Sequence, residues 1–262
     1  MKVFGYPKFD ENGMQVLTTY DNEYSHQMMD IRVYRMKAGE TKTVSVTDEE
    51  AAILLMSGDV KMEWKGHSEE AKRRDVFTDG PYLLHIYAKD CAEVTALTDS
   101  EILIQKTKNE NECNAEWYTP EDAPWGWSCV GMLGNNARRR VNTIFDYDIA
   151  PKSNMVIGEV LNAPGNWSAY IPHRHPQPET YYFKFDHPEG FGASFVGDQV
   201  FKSTDGSFSA SPGGETHPQS AAPGYVMYTC WMIRHLPNDP WVRAKCEEPE
   251  EFLWLHNYKE EN

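Results

Sequence analysis

An all-β chain folded as two consecutive small β-barrels is the architecture this sequence predicts, and three observations carry it. Short β-type runs recur at even spacing between turn signals. Aromatic residues make up 13% of the chain, a level that suits sheets better than helix bundles. Few segments show a helical hydrophobic period. With 262 residues and 40% hydrophobic content there is ample material for a real core.

In the first half, strands are expected over residues 30–36, 41–46, 51–56, 60–64, 82–88, 93–97 and 101–107. The punctuation between them is Ala38-Gly39, Ser57-Gly58-Asp59 and Asp79-Gly80-Pro81, residue types that favour tight reversals. Residues 109–126 lose periodicity, polar at first and rich in Pro and Trp at the end, and read as a connector between halves. In the second half, residues 155–161 form a strand, Ala163-Pro164-Gly165 a turn, and 167–175 a strand. Residues 179–186 alternate, with Glu179, Tyr181, Phe183 and Phe185 on one, inner face. Residues 225–233 are apolar on both faces, as in a buried strand. The best helical candidate is 249–257. The expected domains are residues 1–125 and 126–262.

Net charge is −15, which argues against nucleic acid or an anionic membrane as partner, although a local Arg cluster can still serve an anionic small molecule. Five scattered cysteines without a Cys-x-x-Cys pattern fit free thiols in a reducing cytoplasm. The N-terminal residues lack an apolar targeting segment, and no stretch approaches a membrane span.

The chemistry concentrates in the second half. In an extended strand His173 and His175 point the same way, and Glu179 follows four residues on. Pro212-Gly213-Gly214-Glu215-Thr216-His217 then offers a turn, with Pro212 fixing φ and Gly214 permitting the reversal, that delivers His217 at the start of a strand. His173, His175, Glu179 and His217 are thus the expected ligands of one divalent ion. An N/O set with open positions suits Zn, Mn, Fe, Co or Ni better than Ca or Mg. The first half has no such pattern and is expected to be a barrel without metal ligands.

The run from Gly206 through Pro212 and Gly214 to His217 resembles the second cupin motif, with Ala221 where an Asn is usual; His173-x-His175-x3-Glu179 resembles the core of the first. Cupins are jelly-roll barrels, and a duplicated chain of this length resembles a bicupin. A closer resemblance follows from Arg138-Arg139-Arg140-Val141-Asn142, Gly158-Glu159-Val160, Ala163-Pro164-Gly165-Asn166-Trp167-Ser168, His173-Arg174-His175, Glu179-Thr180-Tyr181-Tyr182 and Ala222-Pro223-Gly224-Tyr225, in that order. Together with Arg74-Asp75-Val76-Phe77-Thr78-Asp79-Gly80-Pro81 they resemble the 5-deoxyglucuronate isomerase family of myo-inositol catabolism.

That resemblance implies a metal-dependent aldose–ketose isomerase converting 5-deoxyglucuronate to 2-deoxy-5-ketogluconate, acting on a small sugar acid and assembling as a homo-oligomer. The substrate carboxylate needs a cation, for which Arg138 and Arg140, on one side of a strand, are the candidates; a solvated basic face or an oligomer contact is the alternative. Glu159 and Tyr181 are the candidate catalytic groups. Three other readings stay open: an isomerase of the 5-keto-4-deoxyuronate type, a cupin dioxygenase, and a sugar-binding cupin without catalysis.

Overall fold

The computed structural model describes residues 1–259, and apart from three short 3-10 turns its elements are all strands. The chain divides into two compact units, one of residues 7–124 and 144–155, the other of residues 1–6, 125–143 and 156 onward. Each unit takes a short segment from the opposite half of the sequence.

In the first unit, Met14–Thr18, Asp30–Met36, Ser100–Lys108, Glu49–Trp64, Leu83–Ile86 and Glu116–Tyr118 lie side by side in that order, antiparallel. The far half of Glu49–Trp64 pairs with His67–Arg73 and Cys91–Ala96, and the latter pairs with Thr41–Ser45, so one strand serves both walls of the barrel. This corrects the expectation of two strands separated by a turn at Ser57-Gly58-Asp59. The chain does not reverse there; it shifts register between Leu55 and Ser57 and continues. Gly58 adopts φ +99°, and a Cβ at this position would lie 2.2 Å from Ser100 Oγ, so glycine makes a bulge that bends the strand.

His67–Arg73 escaped the sequence reading because most of it is exposed and polar. The expected connector over 109–126 contains the strand Glu116–Tyr118 and ends where the strand Gly126–Ser128 begins. Ile53, Leu55, Val60, Met62, Val94 and Ile102 belong to the core of this unit. Its borrowed segment is tied in by a buried pair: His85 Nε2 lies 2.9 Å from Glu50 Oε2, the Asn154 N–H donates to Glu50 Oε1 at 2.6 Å, and Phe145 stacks on the His85 ring.

In the second unit, Phe4–Gly5, Phe208–Ser211, Glu179–Phe185, Met227–Arg234, residues 156–162, residues 139–143 and Gly126–Ser128 form one sheet in that order. A second sheet comprises Trp167–Ser168, Gln219–Ala221, Phe191–Val196 and Gln199–Thr204. Ala221 and Phe201 of the second sheet pack into the core that holds Tyr181, Phe183, Trp231 and Ile233. Both units are jelly-roll-like, as the sequence predicts. Glu179–Phe185 forms a strand as expected, paired along both edges, and both of its faces are buried except at Lys184.

One expectation fails in a way that bears on the site. The strand foreseen over 167–175 ends at Ser168. Ala169 turns to φ +48°, and Pro172 and Pro176 lack the N–H that a ladder needs, so 169–176 runs irregularly with one bridge, Arg174 to Glu247. The C-terminal helix is present as a 3-10 helix over Glu250–Asn257. Among the described residues no helix is long and apolar enough to cross a membrane.

Candidate metal centre

Glu179 opens the central strand, paired opposite Ser211 and Ile233, with its carboxylate buried. Its Oε2 lies 3.1 Å from His175 Nε2 and 3.1 Å from His217 Nε2. The three ligand atoms fall within 4.8 Å of one another and could hold a metal ion. His173 stands beside them, its ring centroid 5.1 Å from that of His217, but it is outside this tight group.

What aims the rings is local backbone, not strand alternation. His173 Nδ1 lies 3.1 Å from the Ile171 carbonyl, His175 Nδ1 3.0 Å from the Gln177 carbonyl and His217 Nδ1 2.9 Å from the Glu215 carbonyl. A carbonyl only accepts, so each Nδ1 carries a proton, which leaves Nε2 as the ring atom a metal ion would take, the arrangement that metal-binding imidazoles use. The Pro-Gly-Gly turn is stitched to the histidine loop: the Gly214 N–H donates to the His175 carbonyl at 2.8 Å, and Gly214 takes φ +90°. A Cβ on Gly213 would sit 1.7 Å from the Pro176 carbonyl oxygen, so only glycine lets the two motifs meet.

The electrostatics fit a cation. Burial opposes ionisation of Glu179, yet the His217 and His175 rings outweigh it and hold the carboxyl well below the usual carboxylate range. Burial likewise opposes protonation of His217, but the Glu179 carboxylate pushes its pKa up. His173 is pushed down to about 4, by burial first and His217 second, which keeps its ring neutral at physiological pH. His217 Nε2 is buried and lies 3.1 Å from Glu179 Oε2. Two imidazoles and a carboxylate buried around one point are a donor set that suits a borderline divalent metal.

His173, His175, Glu179 and Tyr181 line a cavity of about 370 Å³. The Tyr181 phenol is buried against Glu179, and burial raises its pKa well above the usual value, so it donates a proton in hydrogen bonds and does not ionise. Glu159 is also buried, but it does not line the cavity. Its Oε2 accepts from Asn142 Nδ2 at 2.9 Å and its Oε1 from the Tyr228 hydroxyl at 2.7 Å. Within the Arg run the structure brings Arg139 to the cavity wall, while Arg138 and Arg140 lie over the rings of Trp127 and Trp125. Arg139 is held by the carbonyls of Ala137 and Tyr170 at 2.9 and 3.3 Å.

Sequence reasoning missed several wall residues. Arg243 joins Arg139 as a second cation. Gln219 and Trp231 are buried in the wall, and among the described residues neither the two amide atoms of Gln219 nor Trp231 Nε1 has a hydrogen-bond partner. Arg139 could have been found by testing the other parity of the Arg run; Gln219 and Arg243 carry no motif signal.

Residues 5–252 match the model of the KduI/IolB family. The chain belongs to the KduI/IolB family. Among its relatives in that family is the curated 5-deoxy-glucuronate isomerase of Geobacillus kaustophilus, 30% identical over 237 residues that cover 80% of this chain and 84% of the relative. That of Geobacillus thermodenitrificans is 29% identical over 238 residues with the same coverage. The fold is similar to the crystal structure of an IolB-like protein from Salmonella typhimurium, with a TM-score of 0.87 at 18% identity over 98% of this chain and 100% of that one. It is also similar to Lactobacillus farciminis oxalate decarboxylase in a formate complex, with a TM-score of 0.65 at 11% identity over 94% and 89% of the chains. The first relates this KduI/IolB chain to its family's architecture, the second to the wider cupin fold.

Proposed function

We propose that this protein is a metal-dependent aldose–ketose isomerase that converts 5-deoxyglucuronate to 2-deoxy-5-ketogluconate in myo-inositol catabolism, in the cytoplasm. The observation that carries the reading is the buried His175–Glu179–His217 cluster in the wall region of a cavity with two arginines, in a chain whose near full-length relatives bear that isomerase name.

The reaction moves a proton between C2 and C1 of the sugar and builds negative charge on the adjoining oxygens. A divalent ion held by His173, His175, Glu179 and His217 supplies, when bound, Lewis-acid stabilisation of that charge; Zn, Mn, Fe, Co and Ni all suit the donors. The chain's own residues do the rest. The three Nδ1 contacts fix the imidazoles before substrate arrives, so no reorientation accompanies the reaction. Tyr181, held as the protonated phenol, can donate to a sugar oxygen beside Glu179. Arg139 and Arg243 offer the carboxylate end of the substrate its charge partners. Gln219 and Trp231 have buried polar atoms that substrate hydroxyls would satisfy. Val160, Ile171 and Trp241 complete an apolar wall that keeps bulk water from the carbanionic centre.

The test is incubation of metal-loaded protein with 5-deoxyglucuronate, followed by 13C NMR for the ketose carbonyl. Conversion is the expected result. Conversion of a 5-keto-4-deoxyuronate alone would overturn the substrate, and oxygen uptake without isomerisation of either would overturn the reaction class.

A further inference from the structure

The mouth of the first barrel carries a feature that the isomerase reading does not use. Three strands there carry a cation on the same row as residues of the buried core. Along Asp30–Met36 the inward row runs Met36, Tyr34, Arg32, Asp30; along Ser100–Lys108 it runs Ile102, Ile104, Lys106, with Lys106 opposite Asp30; along Thr41–Ser45 it runs Val44, Lys42. Met36, Val44, Ile102 and Ile104 belong to the buried core, with Tyr34 packed on it. Arg32, Lys42 and Lys106 therefore sit on the same inner faces as the core residues, one or two steps toward the opening. They line a cavity of about 210 Å³ together with Asp30, Tyr34 and Glu49.

The charges in this cavity do not cancel. Arg32 is satisfied by Asp30, with Nε and one terminal nitrogen each 2.7 Å from a carboxylate oxygen. Glu49 also lines the cavity, its Oε1 accepting from the Tyr20 hydroxyl at 2.7 Å and lying 3.9 Å from Lys108 Nζ. Lys106 Nζ donates only to the Ser45 carbonyl, at 3.2 Å, and Lys42 Nζ rests 3.9 Å above the Tyr34 ring. Neither lysine pairs with a carboxylate among the described residues. Burial first, then Arg32 and Lys106, push the Lys42 pKa down. A chain with net charge −15 had 40 carboxylates with which to neutralise this spot, and two half-buried ammonium groups are left facing one cavity.

We propose that the mouth of the first barrel is a binding site for a small phosphate-bearing anion, held by Lys42 and Lys106 with Arg32 behind them. Two ammonium groups act as compact point charges, which suit the three oxygens of a phosphate group, whereas the one fork that would favour a planar carboxylate is occupied by Asp30. The volume lies below that of ordinary cofactor pockets, so the occupant is a free phosphate or a monoester with a short carbon body and not a nucleotide.

Full-length protein at low ionic strength is titrated calorimetrically with glycerol 2-phosphate, inorganic phosphate and malonate. Saturable one-to-one phosphate binding is expected, weakened about tenfold or more in the Lys42→Met/Lys106→Met variant. Lys42→Arg/Lys106→Arg should retain binding to within about threefold, since charge is kept, and exposed-control Lys72→Met should match the wild type. Tighter binding of glycerol 2-phosphate assigns an ester as occupant, and tighter binding of inorganic phosphate assigns the free ion. Absence of saturable phosphate binding, tighter binding of malonate than of either phosphate, or wild-type phosphate affinity in the Met/Met variant with an unchanged circular dichroism spectrum would each overturn the proposal.

Discussion

Glu179→Gln isolates the charge at the centre of the metal cluster. The amide keeps the shape of the carboxylate, which touches both His175 and His217 at 3.1 Å through a single oxygen. What disappears is the one anionic donor among the imidazoles. Charge-assisted contacts are worth about 1.5–3 kcal/mol each, so losing the anion should weaken divalent metal binding on the order of a hundredfold. With free metal at about 100 times the wild-type dissociation constant, binding stabilises the wild type by roughly 2.7 kcal/mol. For a chain of this size that is a rise in Tm of roughly 5–10 °C. The variant, then near half-saturation, should gain about 0.4 kcal/mol and a shift of only about 1 °C. The assay pairs thermal melts, with and without Mn or Zn, with elemental analysis after dialysis. If Glu179→Gln retains one equivalent of metal and the full wild-type shift, the carboxylate is not a ligand and the assignment of this centre is wrong.

Two further outcomes follow from the same geometry. Gln219→Leu removes two buried, unpartnered amide atoms, so stability should hold or rise, while kcat/KM for the sugar acid falls about two- to tenfold through one lost neutral hydrogen bond; unchanged kinetics would remove Gln219 from the substrate wall. His173 has its pKa at about 4 against an ordinary 6.5, so the unfolded chain takes up the proton first as pH drops. Stability is then complete above about pH 6.5 and declines toward pH 4, by roughly 3 kcal/mol for this group alone in metal-free protein. Urea titrations of His173→Gln should show that much less pH dependence, and an identical profile would contradict the burial argument.

Patterns of short range were legible in the sequence. Period-2 alternation and turn residues located most strands, because a strand in a barrel must turn apolar side chains inward whatever its partners. Glu179, with Tyr181, Phe183 and Phe185 in its row, and the turn before His217 were legible for the same reason: they depend on local backbone geometry. The tertiary structure decided the rest. It made one strand of Glu49–Trp64, since only the packing of Gly58 against Ser100 distinguishes a bulge from a reversal. It aimed the histidines by carbonyl contacts across an irregular, proline-bounded loop, where strand parity has no meaning. It selected Arg139 over its two neighbours for the cavity wall, because which parity of a strand faces inward depends on what covers each face. It also brought Gln219 and Arg243 to that wall and assigned segments 1–6 and 144–155 to their units, all through contacts between residues far apart in the chain, which a reading by neighbours along one sequence does not contain.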